Sequence, residues 1–253
     1  MRLGIVTYNI AADWDIPAML ANCEEVGICG VELRTTHAHG VEPTLPAQER
    51  REIKSRFADS PVTIIGLGTT CEFHAVDAET VQENIETAKE FAQLAHDLGA
   101  TGIKVRPNGL QLEAGVSKGR TLEQIGSALS EVGAAAQDLN VEVWLEMHGR
   151  DTAEPHNIRQ IMDNTANSNV YLCWNSNPQD VESGSIAKSY ALVRNEIGHV
   201  HINRLYSDYP YRELFELLNE DGYAGWLCAE IEASSDPLTV LQYYRTLFHN
   251  LGG

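Results

Sequence analysis

Eight short apolar runs, nearly all followed by a segment with helical character, set the terms on which this 253-residue chain can fold. The runs are RLGIVTY (2–8), GVELR (30–34), VTIIGLG (62–68), TGIKVRP (101–107), VEVWLE (141–146), VYLCWN (170–175), HVHIN (199–203) and GWLCAEI (225–231). They are rich in β-branched residues and show little polar alternation, the pattern of strands buried on both faces of a parallel sheet. Between them, DIPAMLANCEEVG and TVQENIETAKEFAQLAHDLGA carry apolar residues at helical spacing and stop at glycine, a common helix terminator. TLEQIGSALSEVGAAAQDLN opens on Thr121 and Gln124, whose spacing predicts a capping box. Eight strands alternating with eight helices over this length predict an α/β fold, a single (β/α)8 TIM barrel spanning residues 1–253 as one domain. A doubly wound open sheet is the competing architecture. It needs fewer units, and no GxGxxG or Walker motif follows any of the strands.

Charge narrows the partners. The chain has 36 Asp and Glu against 18 Lys and Arg, a formal net charge of −18. Binding to nucleic acid or to an anionic membrane surface rests on basic patches, so this balance predicts neither partner. Five cysteines (Cys23, Cys29, Cys71, Cys173 and Cys228) are scattered without a CxxC pair, which argues against a disulfide scaffold or a thiolate metal site. The N-terminus enters a strand directly with no apolar h-region, and no run is long enough to span a membrane. A cytoplasmic location is the expectation.

Four polar residues close the last four apolar runs: Glu146, Asn175, His201 and Glu230, recurring about every 28 residues. In a barrel of this kind the C-terminal strand ends share one face, and active sites lie there. Glu146 ends an otherwise apolar strand, where a carboxylate is costly unless it is paired or bound to a cation. His201 alone is more simply a hydrogen-bonded core residue. Four such side chains at the ends of strands five through eight predict instead a site for one divalent metal ion. Oxygen and imidazole ligands without sulfur suit Mn, Mg, Co or Zn, and the sequence does not choose among them. The long polar loops after strands two and three, with His37, His39, Glu72 and His74, are expected to cover the mouth of the barrel.

The order of these motifs resembles the xylose-isomerase-like TIM-barrel superfamily. The likeness rests on GVELR at strand two, LEMHG at strand five, an acid or amide at strand six, HVHI at strand seven and GYxGWxxxE at strand eight, and it covers essentially the whole chain. That superfamily includes sugar isomerases, ketose 3-epimerases and the barrel-type AP endonuclease. The resemblance implies that Glu146, Asn175, His201 and Glu230 are the metal ligands and that the substrate is a small sugar, ketose or polyol derivative. The expected activity is isomerisation or epimerisation through a metal-bound enediolate, with Glu146 and Glu230 as the catalytic proton-transfer pair. His148, in LEMHG, and Arg204, Glu72, His74, Arg34 and Lys104 are the candidate substrate contacts. A homo-oligomer is also implied, since family members are often dimers or tetramers. The alternatives are a metal-dependent lyase or dehydratase acting on an inosose or keto-glycoside, and a degenerate sugar-binding barrel. An AP endonuclease would need further His and Asp ligands and a less acidic surface.

Two motifs depart from the family pattern. Strand six usually ends WDxxH, whereas here Trp174 is followed by Asn175, Ser176, Asn177 and Pro178. The Asn175 side-chain carbonyl can still coordinate a hard cation, but it brings no charge. Two carboxylates around a dication leave the site near neutral, so a metal should be held less tightly and polarise a substrate oxygen more strongly. After HVHI, the usual Lys-Asp pair is replaced by Asn203 and Arg204.

Overall fold

The computed structural model describes residues 1–253 and shows the alternation closed on itself. Eight strands, β1 (Arg2–Val6), β2 (Gly30–Arg34), β3 (Thr63–Glu72), β4 (Gly102–Arg106), β5 (Glu142–Glu146), β6 (Val170–Trp174), β7 (Ile197–Ile202) and β8 (Trp226–Ala229), pair in parallel in chain order. Strand β8 returns to β1, with Leu3 opposite Leu227 and Ile5 opposite Ala229, so no sheet edge is left unpaired and the open doubly wound alternative does not apply. The helices α1 (Ile16–Val26), α2 (Ala47–Ala58), α3 (Ala78–Leu98), α4 (Lys118–Asp138), α5 (Pro155–Asp163), α6 (Ala187–Val193), α7 (Tyr211–Glu220) and α8 (Pro237–Leu251) form the outer ring. The chain is a single (β/α)8 TIM barrel. No helix is long and apolar enough to cross a membrane.

Closure explains the unbroken apolar runs, because each strand packs on both faces. One face meets the helices in a core of 62 buried residues. The other meets a smaller interior layer of Val6, Ile65, Trp144, Cys173 and Cys228. Trp144 is the largest side chain in that layer, and its indole lies where Gly66 and Gly102 have no Cβ. The Trp144 Nε1–H donates to Glu142 Oε2 at 2.7 Å, and the ring stacks on His199 with centroids 4.3 Å apart. This slab is the floor beneath the polar residues at the strand ends.

Several boundaries differ from the sequence reading. Asp15 and Asp77 cap α1 and α3, and Gly27 and Gly99 end them in the left-handed conformation, as expected of terminal glycines. Helix α4 begins one turn before the expected capping box. Its cap is Ser117, whose hydroxyl accepts from the Arg120 N–H, and Thr121 lies buried inside the helix. Strand β3 runs on through Glu72, which places that residue on the strand end and not in a loop.

The Trp144 floor leaves no room for added atoms. A Cβ at residue 66 would lie 2.4 Å from the indole and 2.9 Å from the Gly102 carbonyl oxygen. Gly66→Ala is therefore expected to cost about 1–3 kcal/mol through overpacking, read as a lower urea midpoint at unchanged slope.

Candidate metal centre

The site is assembled from below. Glu32, in the middle of β2, is fully buried, and its Oε2 accepts from both His199 Nε2–H and His201 Nε2–H at 2.8 Å. Burial opposes its charge, but His201 and His199 outweigh that cost and hold the carboxyl well below the usual carboxylate range. Gly68 on β3 makes space for this group, since a Cβ there would lie 2.7 Å from Glu32 Oε1. With Nε2 committed, the ring of His201 turns Nδ1 the other way, toward the barrel mouth.

There His201 Nδ1 lies 3.5 Å from Glu146 Oε1 and 3.6 Å from Glu230 Oε2. Glu146 ends β5 and is almost completely buried, whereas Glu230, just past β8, is one-fifth exposed. The second oxygen of Glu146 is held by Lys104 of β4, with Nζ donating to Oε2 at 2.7 Å. Burial opposes ionisation of both partners, yet each stabilises the other's charge. The Glu146 carboxyl is held below its ordinary range and the Lys104 ammonium above it. Burial also works against the His201 imidazolium, but the groups around it, Cys173, Glu32 and Glu146 among them, raise it well above its ordinary value.

Two of the expected ligand atoms are buried without a hydrogen-bond partner, His201 Nδ1 and Asn175 Oδ1. Buried polar groups are nearly always paired, so an orphan imidazole nitrogen and an orphan amide oxygen call for a ligand. Glu146, His201 Nδ1 and Glu230 lie together as an oxygen- and nitrogen-donor set of the kind that holds Mn, Mg, Co or Zn, and Asn175 is the fourth ligand that the sequence leads one to expect. The residues therefore fit a divalent ion, and an ion bound there would replace the proton on His201. A second cluster, Cys173, His199 and His201, lies deeper. Both of its histidines already spend Nε2 on Glu32, so it orients the upper site and is not a separate one.

Comparison with known proteins follows the same outline. The sequence profile of the xylose isomerase-like TIM barrel matches residues 20–246. The chain belongs to that family. No curated protein matches it in sequence. Among solved structures it is similar to the 3-keto-D-glucoside 4-epimerase of E. coli, at 18% identity and a TM-score of 0.80, with 99% of each chain covered. It is also similar to an L-ribulose 3-epimerase, at 18% identity and a TM-score of 0.81, covering 99% of this chain and 94% of the other. The IOLI protein, whose structure carries a zinc atom, aligns at 15% identity with a TM-score of 0.81, covering 99% of this chain and 98% of the other. At these identities the likeness establishes the fold.

The candidate substrate contacts fall into two groups around Glu230. On one side, Arg34, Lys104, Arg106 and His148 join Glu146 and Glu230 around a small cavity of about 80 Å³. His148 Nδ1–H donates to Asn108 Oδ1 at 3.0 Å, and the Asn108 amide donates to Glu72, which ties Glu72 and His148 together at the rim. Burial lowers His148 from its ordinary value. His74 lies beside Gly109 with a buried, unpartnered Nδ1. On the other side is a larger cavity of about 540 Å³, walled by Tyr209, Tyr211 and Pro178 and bordered by Arg204. Arg204 is more than half exposed and paired with Glu232. His39 spends both ring nitrogens inside its own loop, on the Arg34 carbonyl and the Val41 N–H, so it has none left for a ligand.

Sequence reasoning missed Glu32, although a carboxylate centred in a five-residue apolar strand is itself a signal. It also missed Asp180, the anchor of the loop that replaces the family's WDxxH. Residues Pro178–Asp180 form a 3₁₀ turn in which Asp180 Oδ2 accepts from the Asn177 N–H at 2.7 Å and from the Tyr209 hydroxyl at 3.0 Å. Tyr209 in turn accepts from Trp174 Nε1–H at 3.0 Å. The other carboxylate oxygen is buried without a partner, and burial pushes the Asp180 carboxyl up to about 7.

The native state thus holds the Asp180 proton more tightly than the unfolded chain. This stabilisation is full below the ordinary aspartate value of 3.8 and is lost as pH rises through about 7. At full ionisation the loss is about 4 kcal/mol. Asp180→Asn keeps the acceptor and removes the titration. Its stability relative to the parent should rise between about pH 4.5 and about pH 8, measured as the difference in urea midpoints. A constant difference would place the raised carboxyl elsewhere.

Proposed function

We propose that this protein is a divalent-metal-dependent isomerase or epimerase of a small sugar, ketose or polyol derivative. The observation that carries the reading is the convergence of Glu146, His201 Nδ1 and Glu230 at the barrel mouth, with His201 Nδ1 and Asn175 Oδ1 buried and unpartnered. The epimerases among the similar folds support it. A divalent ion held by Glu146, Asn175, His201 and Glu230 would supply Lewis-acid polarisation of a substrate carbonyl.

The chain's own residues supply the rest. Glu230, partly exposed and shared by both cavities, is placed to take a proton from the carbon beside the carbonyl. Glu146 approaches from the buried side and relays a proton from the Lys104 ammonium bonded to its Oε2 to the opposite face, while the proton taken by Glu230 passes to solvent and Lys104 is recharged from there. Lys104 keeps Glu146 ionised and fixes its orientation through Oε2, leaving Oε1 toward His201. His148 and Arg34 orient the substrate beside the two carboxylates.

A second reading draws on the Lys104–Glu146 pair. A carboxylate held below its ordinary range is a weak base, and the ammonium beside it is a proton donor. Glu230 as the sole base with Lys104 protonating a departing oxygen describes an elimination, the lyase or dehydratase alternative. Loss of water with formation of a conjugated ketone, followed by its ultraviolet absorbance, separates the two.

The purified protein is expected to hold about one divalent ion per chain, read by elemental analysis. Incubated in deuterated water with a panel of ketopentoses and ketohexoses, it should wash label into the carbon next to the carbonyl of its substrate. Glu146→Gln and Glu230→Gln should each slow that exchange by roughly 10²- to 10⁴-fold. Wild-type exchange in either variant would remove that glutamate from the proton-transfer pair.

Glu32→Gln tests how the site is oriented. The amide keeps the volume but removes the charge shared by the two histidines, and metal affinity should fall about 10- to 100-fold. An unchanged dissociation constant would mean that Glu32 does not set the His201 ring.

A further inference from the structure

The small cavity beside Glu146 carries positive charge that the metal site does not use. Only 18 of the 253 residues are Lys or Arg, yet Arg34, Lys104 and Arg106 converge on a space of about 80 Å³. The Lys104 charge is spent on Glu146 at 2.7 Å. The two arginines are not balanced in this way. Arg34 makes no ion pair. Its Nη1–H donates to the Thr35 carbonyl, and its guanidinium stands 5.8 Å from the centre of the Tyr8 ring. Arg106 has one loose ion pair, with Glu72 at 3.7 Å, and its Nε–H is buried without any partner. The two guanidiniums are near enough that Arg106 adds to burial in lowering Arg34. Two neighbouring cations, one with an orphan buried donor, form a preorganised receptor for an anion.

The far side of the mouth is built differently. The loops after β7 and β8, where many barrels bind phosphate, border the larger cavity. Its only cation is Arg204, which is already paired with Glu232, and Asp208, Glu230 and Glu232 make that wall acidic. An anionic group on the substrate is therefore directed to the β2–β4 side.

We propose that the substrate carries a carboxylate, bound by Arg34 and Arg106, so that the enzyme acts on a sugar acid or related hydroxy acid. Planar guanidinium forks match the two oxygens of a carboxylate, and the small cavity suits that planar group better than a tetrahedral phosphate. This assignment rests on the isomerase reading of the same site, because it places the carboxylate next to Glu146 and the reacting carbons between Glu146 and Glu230.

Three matched three-carbon probes test it: glycerate, glycerol and glycerol 3-phosphate, titrated into the protein as purified and followed by the arginine Nε–H resonances and by calorimetry. Glycerate should shift the Arg34 and Arg106 signals and bind at least about tenfold more tightly than glycerol, the worth of one charge-assisted hydrogen bond. It should also bind more tightly than glycerol 3-phosphate. Arg34→Gln and Arg106→Gln should each bring the glycerate-to-glycerol ratio toward one while leaving the metal content per chain unchanged, and Arg204→Gln should leave the ratio intact. Two arginine variants guard against either one failing to fold. Absence of a glycerate preference, a preference that survives both variants, or tighter binding of glycerol 3-phosphate would overturn the proposal. A chain that binds a divalent ion and exchanges label into a neutral ketose, but shows no glycerate preference, loses only the carboxylate assignment. A chain that prefers glycerate through these arginines but holds no ion retains the anion site and loses the isomerase reading.

Discussion

A single buried carboxylate, Glu32, organises the polar interior of this barrel. It sits on a strand enclosed on both faces, and its Oε2 is shared by His199 and His201. An isolated charge at this depth would be prohibitive, and even a paired one is rarely a net gain over apolar packing. Removing either partner, by contrast, leaves an uncompensated charge worth about 3–5 kcal/mol. The arrangement therefore makes little sense as a device for stability. It makes sense as a way to fix the rotation of His201, because the ring cannot turn without stranding Glu32. Everything above follows from that choice, including the direction of Nδ1 and its approach to Glu146 and Glu230.

The layers follow a physical order. Trp144 fills the floor, where Gly66 and Gly102 give it room, and His199 stacks on its face. Glu32 bridges from His199 to His201, and the ligand-type groups lie above. Charge is balanced over the same distance. Lys104 offsets Glu146 and the histidines offset Glu32, while Glu230 remains the least enclosed of the three carboxylates. The neutral Asn175 fits this balance. With Lys104 already a cation beside the site, an amide there, if it joins the proposed ligands, would leave a bound dication a stronger electrophile than a third carboxylate would.

Much of this was legible in the sequence, for reasons that differ from element to element. The strands were visible because burial on both faces removes polar alternation, and the ends of α1 and α3 because Gly27 and Gly99 adopt the left-handed conformation. Glu146, His201 and Glu230, which the fold brings together, stand out because polar residues closing apolar strands are expensive. Helix α2 leaves little apolar pattern in the sequence, because only Ile53 and Phe57 are buried along its length. The start of α4 is obscured because Thr121 and Gln124 mimic a cap, while Ser117, the residue that accepts the bond, lies in a loop of little pattern. Glu32 signals a buried charge from its place at the centre of an apolar strand, but not its role, because the histidines it serves lie 167 and 169 residues away in the sequence.

The same limit applies to the two arginines. Arg34 ends β2 and Arg106 ends β4, and nothing in either segment marks it as the other's neighbour. Register brings them together: β3 pairs with both strands, placing Gly68 beside Arg34 and Glu72 beside Arg106. Past the register shift in β3 between Gly68 and Glu72, Glu72 pairs with Arg106 alone of the two guanidiniums. A regular β3 ending at Gly68, as the apolar run suggested, would leave Glu72 in the loop and both arginines without even that loose partner. Glu72 thus offsets only part of the positive charge on this side of the mouth. With Arg204 tied to Glu232 across the barrel, the charge that remains makes the two sides of Glu230 electrostatically opposite, and a substrate that bears its charge at one end can enter in only one orientation.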